Sequence, residues 1–273
     1  MKHYFRLVNQ LVKRLMGFGL IDLRNSPISP LEAMYRFECV QGCLLEVPTN
    51  RCRAFGPMGY KCIPAAGHPY IMAVEAYLMN NSKEQCVKVL ADYYERNRPK
   101  TASDLFNLSF QNVVLREMPA IQAEVPWREL SGDKVQQRRR RQSLKEMACS
   151  LEEISLYGET NIFGPVTSQR IVVECERLLA VTESILKKGY RSGYRNGEHV
   201  TGWLLINESN EWIVDIGGGK HRIAVLAALG YEKVPVVLSS KRLVFRGRAN
   251  DWPGVRSGQF TVQEAKLIFD NVF

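Results

Sequence analysis

Three consecutive glycines, Gly217, Gly218 and Gly219, run directly into Lys220, His221 and Arg222, a spacing suited to holding an oxyanion. The lysine and arginine bring fixed charge and the imidazole a titratable donor. The flanking chain supplies the frame. Residues 212–216 (Trp-Ile-Val-Asp-Ile) read as a strand, 217–219 as a hinge, 220–229 as a short helix and 234–238 (Val-Pro-Val-Val-Leu) as a second strand. Glycine lets backbone come close to a ligand, and the first N–H groups of a helix point outward with the positive end of its dipole. A phosphate group fits that description; the alternative is a tight strand-to-helix turn whose basic side chains merely face water.

Spacing excludes two better known phosphate loops. A Walker loop needs glycine five positions before Gly219 and Ser or Thr after Lys220, where this chain has Val214 and His221. A dinucleotide fingerprint needs a further glycine soon after the run, and none occurs before Gly230.

Two carboxylates are candidates for chemistry beside the hinge. Asp215, just ahead of it, is placed either to hold Mg²⁺ against a phosphate or to bond its own backbone at the turn. Glu174 lies on a helix capped by Thr167 or Ser168, with Ile171, Cys175, Leu178, Leu179 and Ile185 on its apolar side. It either enters a cleft beside the hinge or forms a surface pair with Arg177 three positions on. Glu176 is the second choice for the cleft.

The order of these segments resembles the ParB/sulfiredoxin-like superfamily, which includes the ParB N-terminal domain, the sulfiredoxins and the free-serine kinases. The likeness covers residues 164–240. It rests on residues 174–190 (Glu-Cys-Glu-Arg-Leu-Leu-Ala-Val-Thr-Glu-Ser-Ile-Leu-Lys-Lys-Gly-Tyr), on 202–206 (Gly-Trp-Leu-Leu-Ile), on Gly218-Gly219-Lys220-His221-Arg222 and on the Val-Pro-Val strand. The resemblance implies a small α/β core that binds ATP or another nucleotide through residues 217–222, with Mg²⁺ near Asp215. It implies catalytic roles for Lys220, His221 and Arg222, and a glutamate acting as base on an acceptor hydroxyl. Glu174 is the nearest carboxylate to that glutamate, though it falls a few residues later than the family spacing. Sulfiredoxins carry cysteine where Lys220 stands, so sulfinic acid repair is not expected.

The implied activity is a nucleotide-dependent kinase acting on a hydroxyl of a small molecule or a cell-surface glycan. A fainter likeness to ParB-like proteins encoded among cell-surface polysaccharide genes suggests the glycan. The competing expectation is a ParB-like, nucleotide-gated, DNA-associated binding protein without kinase activity. Residues 241–273 offer one clear helix, however, and no helix-turn-helix.

The chain has 273 residues, 45% of them hydrophobic, and a formal charge of +9, which favours an anionic partner without choosing among nucleotide, nucleic acid, phosphorylated glycan and membrane. Four arginines, residues 138–141, lie in a glutamine-rich run that reads as a solvated helix face or linker, or as a nucleic-acid contact. Seven cysteines with no C-x-x-C pair argue against a disulfide framework or a standard zinc site and for a reducing cytoplasm. A metal gathered by Cys39, Cys43, Cys52 and Cys62 would match no usual spacing.

These readings give an α/β (α+β) fold with a ParB/sulfiredoxin-like C-terminal core, residues 151–273, and a mixed, mainly helical region over residues 21–150. Residues 1–20 form an amphipathic basic helix; residues 1–16 pack on the body or lie peripherally on an anionic membrane face. No secretory signal or membrane-spanning segment is visible, so a cytoplasmic location is expected. Within the first half, Ser29-Pro30 opens a helix, residues 43–47 form a strand, and residues 70–80, 83–96 and 103–106 form helices. His68, ending a turn-rich stretch, is either a structural histidine or one that reaches a substrate. Residues 189–199, with Arg191, Arg195 and His199, read as a basic lid or a solvent loop. A hairpin over residues 203–216 and a capping box at Thr261 and Glu264 complete the expected elements.

Overall fold

In a computed structural model the structure describes residues 20–37, 42–108, 112–129, 132–147, 160–190 and 199–273. The N-terminal segment 1–16, Cys39, and the lid residues Arg191 and Arg195 lie outside these, so the membrane, metal and lid readings that use them concern residues outside the described set. The described strands are β1 (Leu20–Asp22), β2 (Gly42–Pro48), β3 (Cys52–Ala54), β4 (Tyr60–Lys61), β5 (Val200–Ile206), β6 (Trp212–Gly218), β7 (Lys233–Leu238) and β8 (Leu243–Phe245). The helices are α1 (Pro30–Arg36), α2 (Pro69–Asn80), α3 (Lys83–Arg96), α4 (Ala102–Phe106), α5 (Val113–Glu117), α6 (Gly132–Met147), α7 (Ser168–Lys188), α8 (Lys220–Ala228), α9 (Pro253–Arg256) and α10 (Val262–Val272).

One mixed sheet joins all eight strands in the order β1-β2-β7-β5-β6-β3-β4, with β8 alongside the far end of β5. The α/β class expected from the sequence is therefore present. The sheet also crosses residue 150, where the sequence suggests a soft boundary. β2 pairs antiparallel with β7, and β3 pairs parallel with β6, so strands of the first half flank those of the second. No strand was expected at the short β3, or at β4 within the turn-rich stretch from Gly56 to Pro69.

Side chains alternate across the sheet. On one face Leu204, Ile206, Val214 and Ile216 join a core with α2, α3, α7 and α8. On the other, Leu205 and Ile213 pack with Trp127, Trp252, Phe269 and the rest of α10. The helix starts follow local rules: Ser29, Ser82, Thr167 and Thr261 each accept a bond from an amide of the following turn. His68 does the same through Nδ1, which accepts from the amides of Tyr70 and Ile71, and its ring is fully buried against Phe55. It is a structural cap, and does not face a substrate.

The hairpin expected at 203–216 forms between β5 and β6, with a register shift at Thr201 and Gly202. Gly202 is obligatory there, because a Cβ would run into Val214 Cγ1 and stand 2.8 Å from the Asp215 carbonyl oxygen. Neither neighbour can move without disturbing the central strand. Gly202→Ala is expected to cost about 2 kcal/mol or more, lowering the melting temperature by roughly 4–8 °C in thermal denaturation followed by circular dichroism. An unchanged melting temperature would mean that the two strands are free to separate.

Candidate active site

Only one of the three hinge glycines acts as a hinge. Gly217 and Gly218 are the last residues of β6, and Gly219 alone turns the chain into α8, at φ +81° with Val200 Cα 3.1 Å from where a Cβ would stand. No side chain caps α8, unlike the starts of α2, α3, α7 and α10. The first-turn amides of Lys220 and His221 therefore make no bond to a cap. They lie beside a cleft of about 450 Å³ lined by Gly217 to Arg222, by Arg177, Ala180 and Val181 of α7, by Asn161, and by Gln142 and Glu146 of α6. The first half of the chain thus supplies a wall of this cleft.

Glu174 is fully buried behind His221 and does not itself line the cleft, so the reading as a surface pair is replaced by one of enclosure. Its Oε2 accepts from the Tyr70 hydroxyl at 2.9 Å and meets His221 Nε2 at 2.8 Å. Its Oε1 lies 3.0 Å from Arg170 Nη2 and 3.3 Å from Arg177 Nη1, and accepts from Asn161 Nδ2 at 3.5 Å. Arg170, also fully buried, further donates to Ser143 Oγ at 2.5 Å and to Glu146 at 3.1 Å. Burial alone would raise the Glu174 carboxyl, but the bond from His221 and the charges of His221, Arg170 and Arg177 bring it down to about 2.

These surroundings correct the expected role of Glu174 as a base. A carboxylate with both oxygens occupied and so low a proton affinity does not take a proton from a hydroxyl near neutral pH. It holds His221 instead. An ionised carboxylate only accepts, so Nε2 carries the hydrogen of this contact and Nδ1 is the ring nitrogen turned away from Glu174. Nδ1 has no partner among the described residues. Tyr70 fixes the ring from the side, with stacked centroids 5.0 Å apart. Glu176 is excluded from the cleft: it is exposed and pairs with Lys83 at 2.6 Å.

Asp215 points to the opposite face of the sheet, in step with Ile213. It is fully buried, with Oδ2 accepting from Arg128 at 2.8 Å and Oδ1 enclosed without a partner among the described residues. Burial raises its carboxyl against the opposing pull of Arg128. A Mg²⁺ site does not fit a carboxylate shut away in this manner, and no group of three or more His, Cys, Asp or Glu suited to a metal occurs among the described residues. The expected metal role of Asp215 is corrected to that of a partner for Arg128.

Arg128 also meets Glu124 at 3.3 Å, and Glu124 in turn pairs with Arg138. The arginine run is thus not simply a solvated face. Arg139 is buried and donates to the carbonyls of Ala120, Ile121 and Ala123, while Arg140 and Arg141 are exposed. Lys220 is half-buried between this cluster and the cleft, its ammonium 5.4 Å from the centroid of the Phe55 ring. Burial brings its proton affinity down to about 8, so it still carries charge near pH 7. Arg222 is half-buried on the cleft rim.

Of the residues singled out in the sequence, Lys220, His221 and Arg222 line one cleft and Glu174 sits behind it against His221, while Tyr70, Asn161, Glu146 and Arg170 were missed. Arg170 had a signal: with Glu174 and Arg177 it completes an i, i+4, i+7 charged stripe on a helix otherwise apolar on that side. Comparison with protein-family models, with curated proteins and with solved structures finds no match to the chain.

Because the folded-state value of Glu174 lies below its ordinary 4.5, ionisation stabilises the fold above pH 4.5, and that contribution disappears as pH falls towards 2. Glu174→Gln leaves Arg170 with one fewer buried counter-charge and is expected to cost about 3 kcal/mol near neutral pH. Its acid-side loss of stability should also be shallower between pH 4.5 and 2, while Glu124, likewise held near 2, keeps some slope in both proteins. Chemical denaturation across that range checks both; equal slopes would dissociate Glu174 from these partners.

Proposed function

We propose that the protein is a nucleotide-dependent phosphotransferase acting on a hydroxyl of a small molecule or a cell-surface glycan. The observation that carries this reading is the uncapped start of α8, whose Lys220 and His221 amides lie beside the Glu174–His221 pair in one cleft. The resemblance of residues 164–240 to the ParB/sulfiredoxin-like superfamily, with its free-serine kinases, supports the same reading.

In this mechanism the nucleotide phosphates rest on the amides at the start of α8, with Lys220, Arg222 and Arg177 around them. The acceptor oxygen forms its bond to the γ-phosphorus as the bridging oxygen departs with the nucleoside diphosphate. The acceptor proton passes to Nδ1 of His221, and the imidazolium so formed is stabilised by the ionised Glu174 against its Nε2–H. Lys220, Arg222 and the helix dipole meet the charge of the transferring group without reorganisation. The chain's own residues offer no Mg²⁺ ligand at Asp215, so no step is assigned to that carboxylate. A location inside the cell follows from the substrate class; among the described residues no helix is long and apolar enough to cross a membrane.

Two measurements decide the matter. Label transfer from γ-labelled ATP or CTP to hydroxyl acceptors should be detectable with the full chain, and His221→Asn should lower turnover by about 10²–10⁴-fold with nucleotide affinity unchanged, since the backbone amide remains. Calorimetry showing no heat with either nucleotide, together with no transfer, would overturn the proposal.

A further inference from the structure

Beyond Lys220 lies a second, smaller cavity of about 260 Å³. It is lined by Arg128, Arg138, Arg139, Lys220, Gln142 and Glu124, with Gly56, Pro57 and Ile162 at its edge. It shares Gln142, Gly217 and Lys220 with the larger cleft, so the two cavities meet on either side of the Lys220 side chain. Four cations face it. The acidic residues against them are Glu124, which is ionised, Asp215 beneath Arg128 and, acting on Lys220 from the cleft side, Glu146. Arg139 is buried and Arg128 is 15% exposed, and each has an Nε–H enclosed without a partner among the described residues. The Lys220 ammonium makes no hydrogen bond or ion pair among the described residues, its nearest recorded neighbour being the Phe55 ring.

A positive group held away from water without a counter-ion is costly, and the cost is removed when an anion fills the space beside it. The arginine and lysine set carries an excess of positive charge over Glu124 and Asp215, and all four side chains line one volume smaller than the neighbouring cleft. We infer that this cavity seats an anionic group belonging to the acceptor, a carboxylate or a phosphate on the same small molecule or glycan sugar that presents the hydroxyl. Its assignment to the acceptor rests on the phosphotransferase reading; the anion site itself does not. Seated there, the acceptor would lie across Lys220 from the start of α8, and the lysine would contact both anions.

Glycerate and glycerol 3-phosphate, small hydroxyl compounds bearing the two candidate groups, distinguish the sources when titrated calorimetrically into the full chain with and without saturating ADP. Binding of either is expected, unimpaired by ADP. Arg138→Met should weaken it about tenfold, equivalent to about 1.4 kcal/mol, with ADP affinity unchanged and Arg138→Lys restoring most of the loss. Arg138 is 42% exposed, so the fold should tolerate the change. Binding of the probes to a chain that takes no nucleotide would keep this anion site and remove the phosphotransferase. Binding of neither probe, displacement of the probes by ADP, or equal affinity in Arg138→Met would overturn the inference.

Discussion

A buried carboxylate governs the arrangement of the cleft. Taking an ion of that size out of water costs an idealised ~20 kcal/mol before any compensation, and Glu174 is fully enclosed. The compensation comes from Tyr70 on α2, Asn161 in the loop before α7, Arg170 and Arg177 on α7 itself, and His221 on α8. Glu146 on α6 joins through Arg170 and Arg177. Segments separated by up to about 150 positions are thereby held at one point, and they are the segments that wall the cleft. Loss of any donor leaves the charge less well met, so the position of His221 is tied to the stability of the protein.

The opposite side of Lys220 is organised differently. There Glu124 and Asp215 are paired with two arginines, Arg128 and Arg138, and with Arg139 and Lys220 beside them the local charge is not neutral. Partner-free N–H groups on Arg128 and Arg139, and a lysine whose ammonium makes no ion pair among the described residues, do not improve the stability of the folded chain. Natural proteins retain such imbalance where a ligand removes it, since fixed cations already in position stabilise incoming charge without reorganising. The two charge clusters share Lys220 as their boundary, one self-sufficient and one open.

Local features were legible in the sequence because they depend on neighbours a few positions apart. The caps at Ser29, Thr167 and Thr261, the β5–β6 hairpin and the strand-to-helix turn before Lys220 all belong to this class. What was hidden depends on long-range partners. Asp215 sits just before the turn, as a metal ligand would, yet alternation along β6 turns it to the other face, where Arg128 waits 87 positions away. The arginine run looks solvated in sequence, and only the carbonyls of residues 120, 121 and 123 disclose that Arg139 is interior. Likewise, the strand expected at residues 43–47 is present as β2, but nothing local to it showed that β2 and β3 would extend a sheet built from the second half. The position of Glu174, later than the family spacing suggests, still brings it against His221, because α7 runs past α8 and sets residue 174 opposite residue 221, although Glu174 stays behind the cleft lining.

The placement of the α8 amides against His221 follows from backbone geometry in two adjacent strands. At Thr201 and Gly202 the register of β5 against β6 shifts by one residue, so that Thr201 faces Gly218 while Gly202 faces Ile216. That shift is sterically open only because residue 202 has no side chain to meet Val214. Its consequence is that β6 keeps its pairing through Gly218, leaving a single residue, Gly219, to reverse the chain's direction before α8 begins. A one-residue turn at positive φ, closed against Val200, has almost no freedom. The amides of Lys220 and His221 are therefore aimed by the strand pair, and the His221 ring is aimed by Glu174. Two independent constraints, one of backbone and one of buried charge, meet within a single residue, and that coincidence gives the site its preorganised character.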